Sequence, residues 1–265
     1  MTGRQPVCLL SGAGSSFGEA FCEAFRDRYR IAALWHQRPP AVGQVGRGEV
    51  LAVQADLLEP GEVQRAVQAA RGELGDIDIV VNATGYRRWR DFADDDNLAA
   101  SLAMHVDLNV RVPIEVTLAV FRQCWADRRV ENQLRRRCAV NVSSTAGSHV
   151  YAGWGQGCYS AAKAALNLAS GHLAAELISH GVRVNVIAPN TFPGIVSWKR
   201  LFDGVQTVLD TSSSGLTLVL DKDHSSWLCF DGSSAAPEEF SCIAPDRLLH
   251  PAEADGRYPG RAEGE

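Results

Sequence analysis

The sequence predicts one α/β domain built on a parallel sheet with helices on both faces. Short apolar runs of strand length alternate along the chain with longer stretches of helical period. The runs are apolar almost throughout, as strands covered from two sides require. A chain of 265 residues with 46% hydrophobic content can bury one large core without a second domain.

The first run, 7–10, leads into SGAGSSFGEAF, with glycines at 12, 14 and 18 between a strand and a helix over 17–29. Phe17, Phe21 and Phe25 recur every four residues there, with Cys22 beside them, as a face packed on a sheet would. Further strands are expected at 31–35, 50–54, 77–81, 139–142, 182–187 and 216–220, and further helices near 60–72, 98–124 and 159–180. A new helical pattern follows TFPGIVSWKRLFDG. Segment 125–137, WADRRVENQLRRR, reads as a helix end and a basic loop. The domain is set at 1–230, with 231–265 as an extension rich in Ser, Pro, Gly, Ala and Glu. The composition of its final 16 residues predicts disorder, while Trp227, Phe230 and Phe240 suggest that an earlier part docks.

The net charge of −5 gives no sign of a nucleic-acid partner. No apolar run approaches the roughly 18 residues that span a bilayer, and the first residues lack a signal-peptide layout. The seven cysteines form no C-x-x-C pair and sit among apolar neighbours. Reduced, buried thiols in a cytoplasmic protein, with no metal site, are therefore expected.

The glycine turn is a candidate phosphate site. Gly12 permits a tight turn, Gly14 lets backbone approach a diphosphate, Gly18 allows close packing, and a helix N-terminus faces the negative charge. After the second strand, LWHQRPP offers His36, Gln37 and Arg38 and no acidic residue to hold a ribose 2′-hydroxyl. Arg38 is either a partner for a 2′-phosphate, favouring NADP(H) over NAD(H), or a surface charge before a Pro-Pro turn. Asp56 is either an acceptor for an adenine amino group or an N-cap. In YSAAK, Tyr159 and Lys163 share a helix face one turn apart, so they are either a core tyrosine under a solvated lysine or a pair acting on one bound molecule.

With the glycine turn, VNATG (81–85), NVSSTAG (141–147) and YSAAK (159–163) in this order, the chain resembles the short-chain dehydrogenase/reductase family from about Val7 to Asp221. The resemblance implies a single Rossmann-like doubly wound domain with about seven parallel strands, a nicotinamide cofactor and a homodimer or homotetramer assembled through the helices at 98–124 and 159–180. It implies Tyr159 as catalytic acid/base, Lys163 as its partner, Ser144 as holder of the substrate oxygen and Asn109 as support of a water-linked proton path. It places Gly12, Ser15, Phe17 and Gly18 in the phosphate turn, and Asn82, Ala83 and Gly85 beside the cofactor. Leu57 and Pro189 join the cofactor set, and the Ile187 backbone is expected to face the nicotinamide amide. A phenol with pKa near 10 relays protons poorly at neutral pH; a nearby ammonium and the positive oxidised ring favour its phenolate. Hydride exchange between a ketone or aldehyde and an alcohol follows. The alternatives are an epimerase or dehydratase using transient hydride transfer, and a scaffold or sensor that binds cofactor without turnover.

The chain departs from the family pattern at four places. Thr84 stands in N-A-T-G where N-N-A-G is usual. Ser144 to Tyr159 spans about two residues more than is common, the addition falling in SHVYAGWGQGC. Pro189-Asn190 replaces Pro-Gly, and asparagine tolerates the left-handed backbone such a turn would need. The usual substrate lid after that turn is short, with Thr191 as a possible stand-in for its threonine. The C-terminal region, through Trp227 or Phe230, is therefore expected to cover the site. Tyr86, Arg87, Trp89, His149, Tyr151, Trp154, Phe192 and Trp198 are expected in the substrate wall, suiting a sizeable, partly flat or apolar carbonyl compound. YRRWR (86–90) is either an anion partner or an exposed basic loop. Arg128, Arg129, Arg135, Arg136 and Arg137 are either a dock for an acidic carrier protein bearing an acyl substrate or a solvated face.

Overall fold

The computed structural model describes residues 4–41 and 50–229. Its strands are β1 (Val7–Ser11), β2 (Arg30–Trp35), β3 (Val50–Gln54), β4 (Ile79–Asn82), β5 (Cys138–Val142), β6 (Arg183–Pro189), β7 (Leu216–Leu220) and β8 (Ser225–Cys229). Its α-helices are α1 (Ser16–Phe25), α2 (Glu62–Leu74), α3 (Leu98–Val106), α4 (Val112–Val120), α5 (Arg129–Leu134), α6 (Gly157–Leu177) and α7 (Trp198–Asp210). One sheet runs in the order β3-β2-β1-β4-β5-β6-β7-β8. The first seven strands pair in parallel and β8 pairs antiparallel with β7. The chain reverses its direction of sheet growth between β1 and β4, so a crevice is expected outside their carboxyl ends.

Alternate residues of each strand feed opposite cores. Val7, Leu9, Ala32, Leu34, Val80 and Ala139 pack with α2, α4 and α6. Cys8, Leu10, Ile31, Ala33, Val81 and Val140 pack with α1 and α7. The period-2 geometry of a strand thus explains runs apolar at every position. The phenylalanine face of α1 is observed: Phe21 and Phe25 stack at 4.5 Å, and Phe202 of α7 packs edge-on to both.

Two elements were not legible. β8 follows the expected strand at 216–220 after a four-residue turn and makes the sheet eight-stranded, with Ser225 opposite Leu220 and Cys229 opposite Leu216. Trp227 lies on β8, packed against the core beside Leu218. It belongs to the sheet, which corrects the expectation that it covers the site. Phe230, Phe240 and the rest of the extension lie outside the described residues. Segment 125–137 carries α5, not only a loop, and four of its five arginines are bonded to the fold. Arg128 pairs with Asp76, Arg135 with Asp78 at 2.9 Å, and Arg136 donates to the Asp210 carbonyl. Arg137 is wholly buried, donating to the Cys124 carbonyl and Asn132 Oδ1 at 2.8 Å each and to Glu131 at 3.0 Å. Of the five only Arg129 is exposed with no such bond among the described residues. A guanidinium without water needs this many acceptors. Asp78 and Arg137 stand just before β4 and β5, at the amino ends of the strands and away from the crevice.

Among the described residues Cys8, Cys22, Cys124, Cys138 and Cys158 are buried free thiols, Cys229 is partly buried, and burial pushes the Cys22 thiol up to about 12. No helix among them is long and apolar enough to cross a membrane.

Candidate active site

The carboxyl ends of β1, β4 and β5 and the start of α6 bring the candidate residues together. Gly12 leaves β1 with φ +75°, and a Cβ there would lie 2.7 Å from the Ala83 carbonyl and Thr84 nitrogen. Only glycine allows both the conformation and the approach. Ser15 caps α1, accepting from Gly18 N–H at 3.1 Å and donating to the Gly12 carbonyl at 2.7 Å. Gly18 lets the helix press on Ala13, where a Cβ would meet Cα at 2.5 Å. Gly14 also has a packing reason: a Cβ there would collide with the Arg38 carbonyl oxygen of the β2–β3 connection.

Beyond the carboxyl ends of β2 and β3, His36 Nε2 stands 3.3 Å from Asp56. Asp56 also accepts from Leu58 N–H at 3.0 Å in a local turn; the α2 N-cap is Gly61, which removes the N-cap alternative. Arg38 donates to the Gly14 carbonyl at 2.8 Å and pairs with Glu19 at 3.4 Å, so it lies across the glycine turn. Leu57 and Phe17 bury their side chains in the two cores, leaving only backbone for a ligand.

Asn82 is a structural knot. Its amide donates to the Pro113 carbonyl, Thr117 Oγ1 and Asn141 Oδ1 at 2.8–3.1 Å, tying β4 to α4 and β5, and Asn141 continues to Ser170 of α6 at 2.8 Å. Asn109 sits in a π-helical turn, Asp107–Arg111. Pro113 cannot donate to the Asn109 carbonyl four residues back, and the helix widens there, with Val112 N–H reaching Asp107 O. The Asn109 amide holds Tyr86 at both its N–H (3.2 Å) and its carbonyl (3.0 Å), and also donates to the His105 carbonyl at 2.9 Å. Only its main chain is left to support a water-linked path.

Tyr159 and Lys163 lie one turn apart on α6, with Lys163 Nζ 5.8 Å from the centre of the phenol ring. Lys163 is 4% exposed and donates to the Val142 carbonyl at 2.9 Å; burial pushes its ammonium down to about 7. It is not the solvated lysine of the alternative reading. Ser144 caps a single 3-10 turn, Thr145–Gly147, and accepts from Ala146 N–H at 3.2 Å. Gly147 packs that turn on α6, where a Cβ would stand 2.9 Å from the Lys163 carbonyl carbon.

The expected substrate wall separates into three groups. Trp89 packs on Tyr159, its ring edge-on at 5.3 Å and 88°, while Tyr86 packs on His105, which lies between it and Tyr159. Tyr151 donates to Thr145 Oγ1 at 2.8 Å and His149 reaches the Thr145 carbonyl, both folded onto the Ser144 turn, with Trp154 half-buried in the same loop. Phe192 and Trp198 instead pack with Phe17 and Phe202, as part of the aromatic core between α1 and α7. That placement corrects the assignment of Trp198 to the wall and puts Phe192 against Phe17 beside the glycine turn.

Two assignments near β6 also change. Ile187 is interior to the strand between Val142 and Leu218, its side chain in the core and its carbonyl taken by Ser143 N–H at 2.7 Å. One of the two lone pairs of that carbonyl is thus used within the fold. Pro189 ends the strand opposite Leu220. Asn190 does not adopt positive φ; its side chain accepts from Thr191 N–H at 2.7 Å and donates to Asp221 at 3.3 Å. The connection to α7 runs only from Asn190 to Ser197, so the short lid is observed.

The model of a family described as short chain dehydrogenase matches residues 6–197. The chain belongs to the short-chain dehydrogenase family. Oxidoreductase UcpA of Escherichia coli K12 is 31% identical over 198 residues, 71% of this chain and 69% of that protein. The 3-oxoacyl-[acyl-carrier-protein] reductase FabG of the same organism is 30% identical over 191 residues, 69% of this chain and 72% of that one. A short-chain dehydrogenase from Streptomyces avermitilis superposes with TM-score 0.69 at 22% identity over 83% of this chain and 90% of that one. One from Burkholderia cenocepacia in complex with NADP gives 0.67 at 20% over 83% and 97%. The protein is thus an oxidoreductase of this family, whose members bind a nicotinamide cofactor.

The residues present fit such a group. Gly85 keeps Cβ volume away from Asn109 Oδ1 (3.0 Å) and Lys163 Nζ (3.9 Å). Thr84 Oγ1, beside Gly12, is buried and without a hydrogen-bond partner among the described residues. Sequence reasoning missed His105, buried between Tyr86 (4.7 Å) and Tyr159 (6.4 Å). Its signal was present in the spacing: Ser101, His105 and Asn109 recur every four residues on one helical face.

Proposed function

We propose that the protein is an NADP(H)-dependent oxidoreductase that interconverts a ketone or aldehyde with an alcohol. One observation carries this: a phenol and a wholly buried lysine stand 5.8 Å apart on α6, beside the reversal point of the sheet. The bound cofactor supplies or accepts hydride at nicotinamide C4. Tyr159 passes the proton to or from the substrate oxygen, and Ser144 donates a hydrogen bond to that oxygen. Lys163 uses one N–H bond on Val142 and has the others for ribose hydroxyls, so its charge acts on the phenol from a fixed place. Preference for NADP(H) is supported by the absence of an acid after β2 and by exposed Arg38 lying across the glycine turn, where a 2′-phosphate would compete with half-buried Glu19.

The substrate is a small-molecule carbonyl compound or the corresponding alcohol. A carrier-bound acyl group, as the name of the FabG relative states for that protein, is a narrower reading that would not use Arg128–Arg137, which sit at the other end of the strands. Assembly as a homodimer or homotetramer is supported by Leu98, Leu102 and Val106 of α3 and Leu168 of α6, all at least 37% exposed. Cytoplasmic residence is supported by the buried thiols.

The test is consumption of NADPH and NADH across a panel of ketones and aldehydes. NADPH-linked turnover is expected, with Tyr159→Phe slower by about 10²–10⁴-fold and dinucleotide binding retained. Binding without turnover in the wild type would favour the scaffold, and isomerisation without net cofactor change the epimerase or dehydratase.

A further inference from the structure

The family's usual lid after β6 is short here, yet Tyr159 is not left open. The segment after β4 crosses it, with Trp89 edge-on to its ring and 43% exposed on the other side. This strap pairs with no strand among the described residues, so its peptide groups need other acceptors. One of them is a histidine. His105 is 1% exposed and lies on the last turn of α3. Its Nδ1 is 2.7 Å from the Ser101 carbonyl, which can only accept, so Nδ1 carries the proton. Its Nε2 then accepts from the Arg88 N–H at 3.4 Å. The Arg88 guanidinium turns back to Ser101 Oγ at 3.0 Å, closing a ring of bonds between strap and helix. The imidazole also backs both Tyr86 and Tyr159.

The far side of the strap is fastened to the lengthened loop before α6. Arg90 N–H donates to the Gly155 carbonyl at 2.8 Å. Gly155 has φ +61°, and a Cβ there would meet the Arg90 backbone at 2.9 Å. A Cβ on Gly157 would collide with the Phe92 ring. The two residues added between Ser144 and Tyr159 therefore give the strap something to close against.

We propose that His105 is a positioning residue. It holds segment 86–90 against α3 and so keeps Trp89 over Tyr159, making this strap the wall that selects the substrate. Both ring nitrogens are engaged by backbone, so it acts through Trp89 and Tyr159 and exchanges no proton with substrate. The selected class follows from the wall: a carbonyl group flanked on the Trp89 side by a flat or narrow substituent. This rests on the function proposed above.

His105→Phe keeps the ring and removes both hydrogen bonds. Hydrogen exchange of the full chain should rise in 86–92 and 148–156 and stay unchanged in β1. KM for the carbonyl substrate should rise about tenfold with kcat within about twofold, because binding geometry and not the proton donor is altered. Trp89→Ala should raise KM comparably and add nothing in combination with His105→Phe. His105→Gln, which restores an acceptor for Arg88 N–H, should recover much of the loss. Unchanged exchange in the strap, or a loosened strap with unchanged KM, overturns the proposal. Should His105→Phe not fold, Gly155→Ala loosens the strap from its other edge and must give the same pair of changes. A wild type that reduces no carbonyl refutes the oxidoreductase reading, while the exchange comparison still decides whether His105 holds the strap.

Discussion

Lys163 shows how a single buried amine is placed under tension by its surroundings. Nearly all of it is removed from water, one carbonyl accepts from it, and its ammonium is pushed from 10.5 to about 7. Between these two values the unfolded chain holds a proton that the folded chain has released, so this group's contribution to stability rises with pH through that window. Lys163→Met should therefore be more stable than the wild type at pH 7 and lose its advantage as pH rises towards 10.5, while turnover is lost. Denaturant unfolding of both proteins across that range measures it; parallel curves would contradict the buried, destabilised amine. The four-residue spacing to Tyr159 was plain in the chain, because a helix turn is a local event. That the lysine is buried was not, because the carbonyl it meets is 21 residues away on β5.

At the scale of elements, the glycine turn holds a residue with a packing role that its spacing did not announce. Gly12 and Gly18 serve the turn and the helix contact as their spacing suggested. Gly14 also admits the Arg38 backbone, which no local pattern could reveal. Gly14→Ala should crowd the connection after β2, lower unfolding free energy by about 1–3 kcal/mol and weaken dinucleotide binding. Urea unfolding and a cofactor titration report the two effects, and an unperturbed variant would remove Arg38 from the account. The same distinction separates the aromatic residues. Phe192 and Trp198 resemble wall residues in sequence because they follow the short lid, but α7 turns them onto the phenylalanine ladder of α1.

For the whole molecule, the direction of β8 decides at which end of the sheet the described residues stop. Antiparallel pairing carries it from Leu220 at the crevice end back to Leu216 at the opposite end. Cys229, the last described residue, thus lies at the end of the sheet away from the crevice. Removing 230–265 should leave KM within about twofold, whereas cutting after Asp223 strips β8, bares the β7 edge and should promote aggregation. Steady-state kinetics and light scattering distinguish the two; a sharp rise in KM for the chain cut after Cys229 would restore the tail to the site. The arginine run follows the same logic of ends, since its ion pairs with Asp76 and Asp78 lie at the amino edge of the strands.

The sequence by itself determined the parallel α/β class, the glycine turn and the Tyr159–Lys163 pair, because periodicity, turn chemistry and helix spacing are properties of neighbouring residues. Tertiary structure alone decided that Asn82 and Asn109 use their amides to bind the scaffold, that Arg128, Arg135 and Arg137 face acids before β4, and that His105 stands behind the phenol. Each of these depends on which partner folding brings within about 3 Å of a polar atom, and that partner is set by how helices and strands pack, not by the residues on either side.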